Sequence, residues 1–71
     1  MTTTTIKQNT TYTIKGYNPI VSAWMEIAKL GFYPDEYTLD CITTNFVNDT
    51  YNIIDTVKVY NGNKILKEIE Y

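Results

Sequence analysis

The strongest hydrophobic periodicity in the chain lies between residues 19 and 30. Apolar residues recur there three or four positions apart, the spacing of one face of a helix: Ile20, Trp24, Ile27 and Leu30. Asn18 is a favourable N-cap, Pro19 suits the first helical position, and Gly31 stands where a left-handed C-cap residue is common. The pattern therefore predicts a helix over about residues 19–30.

Alternating apolar and polar positions predict strands on both sides of this helix. In residues 2–15, Tyr12 and Ile14 fall on one side of an extended chain. A turn at Gln8-Asn9 would make this segment a hairpin, and without that turn it is one strand, so both readings stay open. After the helix, alternation resumes at Tyr37, which is expected to open a strand.

Asn61-Gly62 is the strongest turn signal in the chain and predicts a C-terminal hairpin. A two-residue loop at Asn61-Gly62 would pair Val59 with Lys64. A three-residue loop over residues 61–63 would instead pair Val59 with Ile65 and group the apolar residues better. The two-residue loop is slightly favoured, because it keeps the glycine where such turns need one.

Residues 23–42, AWMEIAKLGFYPDEYTLDCI, resemble the junction between two pentatricopeptide repeats. In that family a helix ends near a glycine, a Pro-Asp pair follows, and a threonine opens the next helix, as Pro34-Asp35 and Thr38 would here. The resemblance implies an RNA-reading helical repeat. We reject it because residues 38–49 are rich in β-branched residues and asparagine, and because the chain has room for two such repeats at most, whereas about three are needed. Pro34-Asp35 is then expected to be a loop leading into a strand.

These elements predict one small α+β domain over residues 1–71, with residues 1–5 frayed. Its antiparallel sheet has four strands, or five if the N-terminal segment is a hairpin, and the helix packs on one face, in the order β(β)-α-β-β-β. The helical half of the core is expected to come from the four apolar residues of the helix. The sheet half is expected to come from Ile14, Leu39, Val57 and Val59, or their register-shifted alternatives, and from Ile69.

Composition argues against catalysis and against nucleic-acid binding. The chain has six lysines, eight carboxylates, no arginine and no histidine, for a net charge of −2. Without histidine there is no histidine base, and Cys41 and Ser22 have no evident activating partner. The carboxylates lack metal-ligand spacing, so we expect no catalytic residue, no metal and no cofactor. The missing arginines weigh against contacts to bases and phosphates.

The cellular context is also read from composition. There is no secretory signal pattern and no apolar run long enough for a membrane helix. A single cysteine fits a reducing compartment, so we expect a cytoplasmic protein without a membrane partner. The abundance of isoleucine, asparagine, lysine and tyrosine matches AT-rich codons, which are common in bacterial viruses and mobile elements.

Seven tyrosines in a chain of 71 residues exceed what a small core can hide. Tyrosine often anchors protein interfaces, and this gives the partner-binding candidates Tyr33, Tyr37, Tyr51, Tyr60 and Tyr71. Asp35 and Glu36 join them, because they are expected to lie with Tyr33 and Tyr37 in an exposed aromatic and acidic loop at the edge of the sheet. The sequence therefore predicts a small non-enzymatic inhibitor, encoded by a phage or mobile element, that docks on and blocks a larger host protein, for example a CRISPR effector or another defence enzyme. A second copy bound through a sheet edge is a further partner to consider. The alternatives are a nucleic-acid-binding module, with tyrosines and lysines on its sheet, and a homo-oligomeric structural or assembly protein.

Overall fold

The computed structural model describes residues 11–71, which form a four-stranded antiparallel sheet with one helix on one face. The predicted α+β class and its two layers are confirmed. The elements are β1 Tyr12–Asn18, β2 Ala23–Leu30, α1 Glu36–Thr50, β3 Thr56–Asn61 and β4 Lys64–Glu70. The observed order is therefore β-β-α-β-β, and a strand stands where the helix was expected.

The strands lie in the order β2-β1-β3-β4. Both β2 and β3 run antiparallel to β1, so they are parallel to each other on its two sides. Helix α1 joins these two parallel strands by crossing over one face of the sheet. The two outer strands, β2 and β4, are each the partner of a single neighbour within residues 11–71.

The prediction of a helix over 19–30 is wrong, and a β-bulge explains why. Opposite Ile14 and Lys15, the register of β2 shifts by one residue. The extra residue lets Ile27 and Leu30 pack on the core side although they lie three positions apart, which is helical spacing. The other two members of the expected apolar face, listed here with their exposed fractions, do not join the core: Ile20 72% and Trp24 43%.

Asn18 caps a turn rather than a helix. Its Oδ1 atom accepts a hydrogen bond of 2.9 Å from the backbone N–H of Ile20, in the loop that joins β1 to β2. The same short polar side chain serves helix N-caps and Asx turns, so the Asn18-Pro19 signal did not distinguish between them.

The prediction of a strand beginning at Tyr37 is also wrong, because residues 36–50 form α1. Asp35 is its N-cap, and Asp35 Oδ1 accepts a hydrogen bond of 2.8 Å from the backbone N–H of Thr38. The residues that face the sheet recur at helical spacing: Leu39, Thr43, Phe46 and Val47. Burial of this face outweighs the weak helix propensity of the threonines and asparagines on which the strand prediction relied.

The C-terminal hairpin forms, but in neither of the two expected registers. Asn61 pairs with Lys64, so the loop is Gly62-Asn63, with Gly62 at φ +64° in its first position. This places glycine where a Gly-X hairpin loop requires a positive φ. A register shift between Val59 and Tyr60 then changes the pairing along the rest of the hairpin.

The buried core consists of Ile14, Leu39, Ile54, Val57 and Val59. Burial of Ile14, Val57 and Val59 from the sheet was predicted, and Ile69 packs against them partly buried. Leu39 is buried as expected, but it comes from the helix. The turn at Gln8-Asn9, the fifth strand and the fraying of residues 1–5 lie outside the described residues.

Candidate functional site

The exposed side of α1 is acidic and carries no cation. Its exposed positions, which we call the outer helix face, are Glu36, Tyr37, Asp40, Cys41, Thr44, Asn45, Asn48, Asp49 and Thr50. Residues 36–50 contain no lysine or arginine. The N-cap Asp35 adds a further carboxylate at the start of the helix, so this side of the domain has a negative electrostatic field.

The two predicted site residues at the start of the helix have structural partners. The hydrogen bond from the backbone N–H of Thr38 lowers the pKa of Asp35, because it favours the ionised carboxylate. Glu36 lies 3.7 Å from the Nζ atom of Lys67 on β4. Both residues therefore help to hold the helix, and both keep exposed carboxylates on its first turn. Their expected place in a loop is wrong for Glu36, which begins the helix.

Tyr71 reaches from the end of β4 to the helix. Its hydroxyl donates a hydrogen bond of 2.7 Å to Asp40 Oδ1. Burial, followed by this bond to Asp40, raises the pKa of Tyr71 to about 12. The backbone N–H of Tyr71 also donates to the carbonyl of Asp55 at 2.8 Å. The residue is therefore fixed beside the helix through both its backbone and its hydroxyl.

A groove of about 430 Å³ lies between the helix and Tyr71. Its lining residues are Asp40, Thr43, Thr44, Val47, Asn48, Ile54 and Tyr71. Thr43 is 6% exposed, and its Oγ1 atom has no hydrogen-bond partner among the described residues. A buried hydroxyl without a partner is uncommon in folded proteins. The Thr43 side chain lines the groove, although its Oγ1 atom is itself closed to solvent beside Tyr71.

Three other predicted tyrosines are exposed at the ends of α1. Tyr33 packs edge-on against Tyr12, with ring centroids 5.8 Å apart. Tyr37 lies beside Cys41 one turn along the helix, and a hydrogen bond with that thiol raises the pKa of Tyr37. Tyr51 is 91% exposed and ends the helix in the left-handed conformation, with φ 58° and ψ 27°.

Tyr60 lies on the opposite side of the sheet, which no helix among residues 11–71 covers. Lys15 Nζ is 5.1 Å from the centroid of the Tyr60 ring, and Lys58 Nζ is 4.7 Å from that of Trp24. Tyr17 packs against Trp24 with centroids 5.2 Å apart. These five residues form a second aromatic surface, which we call the open sheet face.

The open sheet face is electrically balanced. Across the four strands, Glu26 pairs with Lys15, Lys15 with Lys58, and Lys58 with Glu68. The two lysines in the middle of the sheet are thus flanked by two carboxylates on its outer strands. The surface offers aromatic contact area without the excess positive charge that binding a phosphate backbone requires.

The structure therefore divides the predicted site. Tyr71 is bonded to Asp40 of α1, the helix that also carries Glu36 and Tyr37, whereas Tyr60 is on the other face of the sheet. Sequence reasoning missed the groove residues Asp40 and Thr43, because that segment was taken for a strand. The N-cap pattern of Asp35 followed by a spaced apolar series is the signal that could have identified them.

Comparisons with known proteins add no functional information. No protein-family model matches the chain, and no match was found among curated proteins or solved structures. In the part of the chain from residue 11 to 71, no helix is long and apolar enough to cross a membrane, and no group of three potential ligand side chains could hold a metal ion.

Proposed function

We propose that this protein is a small non-enzymatic binding protein that docks on a larger protein through the outer helix face and blocks it. The observation that carries the proposal is the combination, on one side of the domain, of exposed tyrosines with a helix that has several carboxylates and no cation. Tyrosine supplies large contact area with few rotors. The carboxylates supply a sign of charge that selects the partner.

The partner's contact surface is then basic. Helix α1 spans 15 residues, a length of about 22 Å, which is enough to occupy a positively charged cleft. Such clefts bind anionic substrates in many larger enzymes, and a rigid acidic helix lying in one would exclude the substrate. Negative potential on this face would also speed association with a basic partner at low salt.

The expected setting follows from the composition. A phage or mobile-element protein acting in the host cytoplasm would meet defence enzymes, including CRISPR effectors, that carry basic nucleic-acid-binding clefts. Blocking such a cleft requires no catalytic group in the inhibitor.

A pair of charge-reversal variants tests the proposal. Asp40→Lys and Glu26→Lys make the same change in net charge, but Asp40 lies on the outer helix face and Glu26 on the open side of edge strand β2. The tagged chain is used to capture partners from host lysate, and each variant is checked for folding by circular dichroism. We expect a stoichiometric protein partner whose affinity falls at least about tenfold with Asp40→Lys and is retained with Glu26→Lys. Absence of any stoichiometric partner, or a larger loss with Glu26→Lys, would sink the proposal.

A second candidate function is nucleic-acid binding through the open sheet face. It is favoured by the packing of Tyr17 on Trp24 and the lysines beside Trp24 and Tyr60, since aromatic rings and cations together bind single strands. The balancing Glu26 and Glu68 weigh against it. A gel shift at low salt with a single-stranded oligonucleotide would show a retained complex, abolished by Trp24→Ala, if this candidate were right.

A further inference from the structure

The groove beside Tyr71 combines an apolar wall with polar groups that can all accept hydrogen bonds. Val47 and Ile54 supply the apolar wall. The remaining lining groups are the carboxylate of Asp40, three hydroxyl oxygens and the amide oxygen of Asn48. Asp40 is the one ionised side chain among the lining residues, so the groove has a net negative charge.

We infer that this groove receives a basic side chain, lysine or arginine, from the surface of the partner protein. The inference rests on the proposed function and names the contact through which the partner is recognised. A lysine or arginine has an aliphatic stem that can lie along Val47 and Ile54. Its charged head, which only donates hydrogen bonds, can then reach the exposed carboxylate of Asp40.

The hydroxyl of Thr43 is the reason to expect a polar rather than an apolar occupant. Thr43 is 6% exposed and its Oγ1 atom has no partner among the described residues. An apolar occupant would leave this buried oxygen without a hydrogen bond, so the cost of its burial would remain. A cationic head in the groove can donate to it once the Thr43 side chain rotates its hydroxyl toward the groove.

The charges around the groove exclude an anionic occupant. Asp40 lies in the lining, and Glu36 stands one helical turn before it on the same side of α1. Lys67 of β4 is paired with Glu36, and no lysine lines the groove. An acidic side chain would meet carboxylates without compensation, whereas a basic one would form charge-assisted hydrogen bonds with Asp40.

The volume also fits one side chain better than a folded segment. The space of about 430 Å³ lies near the lower end of the range for small-ligand sites. Tyr71 forms one wall and donates its hydroxyl hydrogen bond to Asp40 at 2.7 Å. That bond orients the carboxylate while leaving its second oxygen available to an incoming donor.

Capped amino acids test the groove without the partner. The ¹⁵N-labelled chain is titrated at pH 7 with the N-acetyl methylamides of lysine and arginine, and with those of norleucine and citrulline as uncharged isosteres. We expect saturable amide shifts confined to residues 40–48, 54 and 71, with a Kd on the order of millimolar for one basic side chain. The uncharged isosteres should bind at least about fivefold more weakly. Equal binding of the uncharged probes, or no saturable shift with the basic ones, would overturn the inference.

A matched pair of variants locates the charge that matters. Asp40→Asn keeps an acceptor for Tyr71 but removes the negative charge, and it should weaken the basic probes about fivefold or more. Asp49→Asn removes the same charge from the same helix outside the groove lining, and it should leave their affinity unchanged. Equal effects of the two variants would mean that general helix charge, not the groove, attracts the probes, and would overturn the inference.

A third variant separates the role of Thr43 from fold stability. Thr43→Val replaces the unpartnered hydroxyl by a methyl group of similar shape, so the free domain should be no less stable in urea while the basic probes bind more weakly. Unchanged probe affinity would refute the part assigned to Thr43. Because the probes need no partner protein, a failed titration is distinguishable from a failed capture experiment, which alone tests docking.

Discussion

The backbone conformation of Tyr51 should destabilise the fold, and replacing Tyr51 by glycine should make the protein more stable. The residue ends α1 with φ 58°, a left-handed conformation that costs a residue with a Cβ atom about 1–2 kcal/mol. Glycine avoids that cost but loses about 0.5–1 kcal/mol through its freer unfolded chain. The side chain is 91% exposed, so little burial is lost. Tyr51→Gly is therefore expected to raise the free energy of unfolding by about 0.5–1 kcal/mol.

Thermal and urea unfolding followed by circular dichroism measure this gain. For a domain of this size, a gain of 0.5–1 kcal/mol corresponds to a rise in Tm of about 2–8 °C. Tyr51→Ala is the control, because alanine also loses the exposed ring but keeps the unfavourable φ. It should be less stable than Tyr51→Gly by about 1 kcal/mol, with the same urea m-value.

The refuting result is equal stability of the glycine and alanine variants, since φ would then carry no cost at this position. If the gain is confirmed, a bulky exposed residue has been kept where glycine would be more stable. Strained positions of this kind are concentrated at functional sites. Tyr51→Gly should then bind the captured partner more weakly although its fold is more stable.

Three further predictions concern the core, the start of the helix and the Tyr71 contact. A Cβ atom at Gly16 would lie 2.7 Å from Ile54 Cγ2, whereas one at Gly31 would meet nothing within 4 Å. Gly16→Ala should therefore lower the free energy of unfolding, measured in urea, by about 1–3 kcal/mol, and Gly31→Ala is the control. An equally small effect of both substitutions would contradict this packing. Asp35→Ala should lower Tm. Asp35→Asn still accepts the capping hydrogen bond, so at pH 7 it should keep most of the stability that the cap contributes. The lowered pKa of Asp35 means that its contribution is present above about pH 4 and lost as the pH falls through the folded-state value, so Asp35→Asn should show a smaller acid-side loss than the parent chain. Because the pKa of Tyr71 is raised to about 12, the free energy of unfolding should fall as the pH rises from about 10 to 12. The fall should be less than about 1 kcal/mol, because part of the ring is exposed. Tyr71→Phe should remove that fall, and the same dependence of stability on alkaline pH in both proteins would argue against the contact.

The candidate site was only partly accessible from the sequence. An excess of tyrosine predicts exposed aromatics, and Tyr37 and Tyr51 are indeed among the most exposed apolar side chains, at 76% and 91%. Their arrangement could not be read in the same way. Tyr71 and Asp40 are 31 positions apart and meet through a hydrogen bond, and no local pattern encodes which residue of the last strand lies beside which turn of the helix.

The sequence by itself determined the layers of the fold and much of its core. Strict alternation around Ile14, Val57 and Val59 marks one face of each central strand. Gly62 marks the hairpin because it alone among the nearby residues tolerates a positive φ without cost. These signals are short-range, so they survive whatever the rest of the chain does.

Only the tertiary structure decided which apolar segment is the helix. The bulge in β2 gives a strand the spacing of a helix, because Ile27 is an extra residue that lies opposite no residue of β1. In α1, Leu39 and Val47 bury a face composed partly of poor helix formers. Propensity differences of less than about 1 kcal/mol per residue yield to the burial of a few large side chains, each worth about 1.5–3 kcal/mol. That burial exists only when the sheet and the helix meet.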